Sequence, residues 1–118
     1  FYTWLLHLLR ATSIGHGVYR ILIPTPAWGT NETAKNIFTI QWQKEPGQFE
    51  IVAANPTDDD AQCMLRPEIP ELANHNWDVK DLLSAVSFKR KGTELRDEGL
   101  YLAFTPRSAH IYHFSTND

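Results

Sequence analysis

Residues 37–54 read IFTIQWQKEPGQFEIVAA and combine two β-rich runs with a turn between them. Phe38, Ile40 and Trp42 alternate with polar residues, and this period of two is typical of a strand with one buried face. A Glu-Pro-Gly turn then leads into the second run, FEIVAA at residues 49–54. The pattern predicts an antiparallel β-hairpin.

The rest of the chain contains further short β-rich segments. Turn-forming residues separate them about every 8–12 residues, which is the spacing expected of an antiparallel sandwich. The sequence therefore predicts an all-β fold, an antiparallel Greek-key sandwich of seven or eight strands over residues 15–118. The charged residues 89–98 are interpreted as a hairpin tip. The other predicted strands lie at residues 18–23, 61–65, 77–83, 86–90, 99–104 and 110–114.

The first ten residues, FYTWLLHLLR, follow a helical pattern instead. They contain neither Gly nor Pro, and seven of the first nine are large and apolar. Because a surface helix buries only a single stripe of roughly 100°, this helix is expected to be buried on two sides. We therefore expect residues 1–14 to be the last helix of an upstream domain, which makes the chain a fragment of a longer protein.

Composition and charge exclude several classes of protein. The chain has 118 residues, which suffices for one domain but not for a (β/α)8 barrel of about 250 residues. Eleven Lys and Arg against fourteen Asp and Glu give a net charge of −3, whereas a nucleic-acid binder needs a basic surface. No apolar run approaches the roughly 20 residues that cross a membrane. We expect neither a nucleic acid nor a membrane as a partner.

The chemistry-bearing residues do not form a pattern typical of a metal centre or a catalytic triad. His110 and His113 are three apart on a predicted strand, which places them on opposite faces and prevents them from sharing a metal. The three aspartates at residues 58–60 could attract Ca²⁺, but a solvated turn is the favoured interpretation. Cys63 cannot form an internal disulfide and is expected to be a small core residue. We expect no catalytic residue, no metal and no cofactor.

The tryptophans are the remaining candidates for a binding role. Trp28 lies in a Pro- and Gly-rich loop at residues 24–36, where burial is less automatic than in a strand. An exposed indole can stack on the apolar face of a sugar ring; alternatively, Trp28 fills an interface with the upstream domain. Trp42 and Trp77 are predicted to lie in the core or on a sheet face, and Trp77 is a second candidate for stacking on a sugar.

Several segments, in this order, resemble the C-terminal end of the α-amylase family of glycoside hydrolases. Residues 1–10 are similar to the last helix of that family's (β/α)8 barrel, and residues 26–31, PAWGTN, resemble a loop of its all-β C-terminal domain. Residues 51–56, IVAANP, are similar to a strand that precedes a polar turn. The chain departs from the family at Arg107 and Ser108, where members often have an aromatic residue and Gly. Three further segments resemble the last strands of that domain, at residues 81–83, 99–102 and 106–112.

The resemblance implies a non-catalytic accessory domain. The family's catalytic carboxylates lie on the barrel strands, so none of them falls within residues 1–118. The implied role is to stabilise the upstream barrel of a glycoside hydrolase or glucosyl transferase that acts on α-glucans. The alternative is a carbohydrate-binding module in which Trp28 and Trp77 stack on glucan. The expected contacts with the barrel are Trp4, Leu5, Leu8 and Leu9.

Overall fold

Alternating side chains and frequent turns produce a fold that is almost entirely β-structure. The computed structural model describes residues 12–117, in which nine strands pair in two antiparallel sheets. One α-helix, α1 (Gly92–Asp97), and two 3-10 helices, Thr33–Asn36 and Leu72–Asn74, complete the described part. The strands are β1 (Val18–Leu22), β2 (Thr25–Pro26), β3 (Phe38–Gln43), β4 (Gln48–Asn55), β5 (Ala61–Leu65), β6 (Asn76–Asp81), β7 (Ser87–Lys91), β8 (Leu100–Phe104) and β9 (Ser108–Thr116).

Six strands form the large sheet, in the order β1-β3-β4-β9-β6-β7. The predicted hairpin is confirmed as its β3–β4 pair, in which Ile40 lies opposite Val52. Gly47 supports the turn between these strands with a φ of +88°, a left-handed conformation that is unstrained for glycine. β9 pairs with β4 on one side and β6 on the other, so it completes the middle of the sheet.

Three strands form the small sheet, in the order β2-β5-β8. Ala61, Cys63 and Leu65 of β5 are buried while Gln62 and Met64 are half-buried, so this sheet also turns one face to the core. One hydrophobic cluster joins the buried faces of both sheets. Its largest fully buried side chains are Trp77, Phe49, Phe104, Phe114, Ile51, Leu65, Leu95 and Val79.

Helix α1 begins in close contact with the 3-10 helix Leu72–Asn74. The N–H of Gly92 donates a hydrogen bond to the carbonyl oxygen of His75 at 2.9 Å. A Cβ atom at Gly92 would lie only 1.7 Å from the carbonyl oxygen of Leu72, so no larger residue fits without a backbone shift. Leu95, fully buried, then fixes the helix on the core.

The structure confirms the all-β class and corrects two details of the prediction. The described residues contain nine strands, because the loop after β1 contributes the two-residue strand β2. Residues 92–97 form α1 and not a hairpin tip, since Leu95 is drawn into the core. The Greek-key arrangement and the domain boundary at residue 15 stay predictions. Of the predicted helix over residues 1–14, residues 1–11 lie outside the described residues and residues 12–14 form bends and a turn.

Candidate functional site

The outer face, defined here as the side of the large sheet that faces away from the core, carries two kinds of surface. Side chains alternate between the faces, so the strand registers assign each residue to one face. Apolar residues occupy the outer face on β1 and β3 and mix with Glu50 and His113 on β4 and β9, whereas charged and polar residues occupy it on β6 and β7. One row of paired residues crosses all six strands and consists of Tyr19, Trp42, Glu50, His113, Lys80 and Ser87.

The apolar part of the outer face is open to solvent along β1 and at the start of β3. Tyr19, Ile21 and Phe38 are 59%, 61% and 51% exposed. Ile23, also exposed, joins Ile21 and Phe38 in lining an open groove of about 510 Å³. Exposed apolar side chains that adjoin on one sheet face are a common feature of interaction surfaces. The apolar band consists of Tyr19, Ile21, Phe38, Ile40, Trp42, Val52 and Ile111. The first three are exposed, the next three are half-buried, and Ile111 is buried.

A buried carboxylate lies beside the apolar band. Glu50 is 1% exposed, and its Oε1 accepts hydrogen bonds from the backbone N–H of Ser13, at 2.8 Å, and from the Ser13 hydroxyl. Its Oε2 lies 2.5 Å from Nδ1 of His113. The Ser13 hydroxyl also lies 3.1 Å from the carbonyl oxygen of Trp42. These contacts attach the segment before β1 to the outer face.

The partners of Glu50 keep its side chain charged despite burial. Burial favours the neutral acid and by itself raises the pKa. The hydrogen bonds from His113 and Ser13 outweigh that effect, and the pKa of Glu50 lies below its ordinary value of 4.5. The cluster of Ser13, Glu50 and His113 is therefore held by charge-assisted hydrogen bonds, which are stronger than neutral ones.

The opposite side of the outer face is basic. Lys89 lies across from Asp78, whose carboxylate accepts a hydrogen bond from the Asn117 amide at 3.0 Å. Lys80, Lys89 and His113 help to line an open depression of about 440 Å³ between β6, β7 and β9. The lysine edge, as it is named here, consists of Lys80, Lys89 and Lys91, which are exposed and form no ion pair within residues 12–117.

The two histidines of β9 point to opposite faces of the sheet, as predicted: His110 lies across from Ala53 and His113 across from Glu50. Nδ1 of His110 lies 2.6 Å from Oδ2 of Asp81, which is 3% exposed. Ser84 donates its hydroxyl to Asp81 and not to His110, so these residues lack the nucleophile–base contact of a Ser-His-Asp triad. In the described part of the chain, no three His, Cys, Asp or Glu side chains are grouped to hold a metal ion.

The tryptophans predicted to stack on sugars differ in exposure. Trp28 is 51% exposed in the loop after β2. Trp77 is fully buried, with its ring 5.1 Å from that of Phe49 and its Nε1–H donated to the carbonyl oxygen of Leu72 at 2.9 Å. A buried indole has no free face for a sugar ring, so Trp77 is a core residue and not a stacking platform. The predicted barrel contacts Trp4, Leu5, Leu8 and Leu9 lie outside the described residues.

The remaining sequence candidates have structural roles. Cys63 is fully buried, and burial raises the pKa of its thiol to about 12, which keeps it protonated and unreactive. The aspartates at residues 58–60 are exposed in a turn, where Asp58 forms an ion pair with Arg107. Both observations agree with the favoured interpretations of the sequence.

Comparison with known proteins adds no assignment. No protein-family model matches the sequence, and no curated protein matches it at a significant level. Between residues 12 and 117 there is no helix with the length and apolarity needed to span a membrane.

Proposed function

We propose that this chain is the non-catalytic C-terminal accessory domain of an α-amylase-type glycosidase acting on α-glucans. In this proposal the outer face packs against the upstream catalytic barrel and stabilises it. The observation that carries the proposal is the exposure of Tyr19, Ile21 and Phe38 in the apolar band, because such side chains gain stability only when a partner covers them.

The position of Ser13 supports a partner that precedes the domain in the chain. Ser13 is anchored to Glu50 on the outer face, and it follows closely on the apolar residues 1–10. A partner that is connected through that segment joins the domain on the outer face, where the apolar band lies. This connection favours the upstream barrel over a separate protein as the partner.

The buried carboxylates support a non-catalytic role. Retaining glycoside hydrolysis needs two carboxyl groups about 5–5.5 Å apart on either side of a sugar. Within residues 12–117, the two buried carboxylates, Glu50 and Asp81, lie on opposite faces of the large sheet. Each carboxylate is in hydrogen-bonding contact with a histidine ring nitrogen. They cannot act on one glycosidic bond, so catalysis is assigned to the barrel.

The test compares apolar-band variants in two settings. Ile21→Asp and Phe38→Asp should change the unfolding free energy of the isolated chain by less than about 0.5 kcal/mol, because both side chains are exposed there. In the full-length protein each should cost about 2 kcal/mol, because a buried apolar contact is lost. Tyr101→Asp, exposed to 52% on the small sheet, is the matched control. Equal effects in both settings would refute the proposal.

A second candidate function rests on Trp28. Its side chain is 51% exposed in a loop, and an exposed indole can stack on a sugar ring, which supports a carbohydrate-binding module as the alternative. Titration with maltooligosaccharides should quench Trp fluorescence in the wild type and not in Trp28→Ala. A flat titration of the wild type at millimolar sugar, or an unchanged response in Trp28→Ala, rules this function out.

A further inference from the structure

The lysine edge shares the outer face with the apolar band. Lys80 belongs to the row that also contains Trp42 and Glu50. Two strands, β4 and β9, lie between Trp42 on β3 and Lys80 on β6. At about 4.8 Å between neighbouring strands, Lys80 lies roughly 14 Å from Trp42 across the sheet. Lys89 lies one strand farther out, on β7.

A partner that covers the apolar band must also reach these lysines. A protein interface of ordinary size buries about 800 Å² on each partner, which corresponds to a patch roughly 28 Å across. A patch of that width centred on β4 extends past β6. The ammonium groups of Lys80 and Lys89 would then lose water, and an ammonium group that loses water needs a carboxylate in return.

Protection of a sheet edge explains only part of this pattern. Lysines on an edge strand prevent pairing with other chains, and β7 is an edge of the large sheet. Lys80, however, lies on β6, which is paired on both sides, so it protects no edge. The nearby carboxylates do not neutralise it: Glu50 is held by His113, and Asp78 is held by Asn117.

We infer that the partner surface covering the outer face carries acidic side chains placed opposite Lys80 and Lys89. This inference rests on the proposed function, in which that surface belongs to the upstream barrel. The interface then has an apolar centre on β1, β3 and β4 and a charged margin on β6 and β7. The charged margin fixes the orientation of the two domains, because a shifted or rotated partner would leave the lysines unpaired.

Charge reversal in the full-length protein tests the inference. Lys80→Glu/Lys89→Glu should lower the melting temperature by about 2–4 °C in low salt, a loss that 0.5 M NaCl should largely remove by screening. Lys44→Glu/Arg66→Glu changes the net charge equally, at exposed residues outside the outer face, and serves as the control. The same pair of double variants in the isolated chain shows whether either one disturbs the domain itself.

The outcomes separate this inference from the proposed function. If Ile21→Asp destabilises the full-length protein while Lys80→Glu/Lys89→Glu behaves like the control, the docking surface is supported. The inference that the partner carries acidic side chains opposite the lysines is then refuted. If neither Ile21→Asp nor the lysine variant differs from its control, both fail. A dimer of this chain that the lysine variant dissociates would also overturn the inference, because the lysines would then face a second copy.

Discussion

Glu50 shows how one buried polar residue can organise the part of a sheet face that lies beside an apolar band. Its two carboxylate oxygens serve different elements, since Oε1 holds Ser13 and Oε2 contacts His113 of β9. Replacing it with a neutral side chain would leave the N–H of Ser13 with a weaker acceptor in a buried position. The cluster therefore couples the beginning of the domain to the middle of the large sheet.

Glu50→Gln should lower the unfolding free energy by about 1–3 kcal/mol at pH 7. Because the folded-state pKa of Glu50 is lowered, its stabilising effect is full above the ordinary pKa of 4.5 and is lost as the pH falls through the folded value. Denaturant titrations from pH 7 downward should therefore show wild type and variant converging below about pH 4.5. A difference that stays constant over this range would contradict the account.

Glu68→Gln is the matched control for that prediction. Its side chain is 59% exposed and lies 3.9 Å from Arg20, which is a weak surface contact. The variant should change stability by less than about 0.5 kcal/mol at every pH.

The sequence indicated that Glu50 lies in a β-rich run, but its partner His113 is 63 residues away. A contact of that separation depends on strand register, which the local pattern does not contain.

At the scale of single elements, alternation predicted most strands and missed the helix. The pattern of Phe38, Ile40 and Trp42 located β3, but the buried face of that strand is the polar one. Thr39 and Gln41 are buried, whereas the three apolar residues lie in the apolar band. α1 has no such signal, because it is six residues long and only Gly92 and Leu95 are buried. A helix that short depends on tertiary packing more than on propensity.

Gly92→Ala should destabilise the protein by about 3 kcal/mol, because the added Cβ meets the carbonyl oxygen of Leu72 at 1.7 Å. Gly29→Ala adds the same methyl group where no heavy atom lies within 4 Å. It should be neutral or stabilising by up to about 1 kcal/mol. Thermal denaturation of both variants measures the difference, and a Gly92→Ala variant as stable as Gly29→Ala would show that α1 can shift freely.

At the scale of the whole molecule, polarity differs between the two sides of the large sheet. One side packs against the small sheet and α1 and forms a continuous hydrophobic core with them. The other side carries the apolar band. The division of the strands into two sheets could not be predicted, because pairs such as β4–β9 and β5–β8 join distant parts of the chain. The all-β class could be predicted, since it depends only on local alternation and turns.

An isolated chain with this surface should associate with itself as its concentration rises. Sedimentation velocity should show the sedimentation coefficient increasing with concentration in the wild type. Ile21→Lys/Phe38→Lys should reduce the increase, since it places two charges in the apolar band, whereas Tyr101→Lys on the small sheet should not. A wild-type chain that stays monomeric at all concentrations would contradict the interpretation of the apolar band as an interface.

The central place of β9 has a consequence for how the protein is made. β4 finds its neighbour on that side only after Ser108–Thr116 has been synthesised. Synthesis adds about 5–20 residues per second, so the edge of β4 that pairs with β9 stays unpaired for several seconds after β4 has left the ribosome. The apolar residues of β4 are uncovered during the same interval. We therefore expect the nascent chain to aggregate more readily than the folded domain.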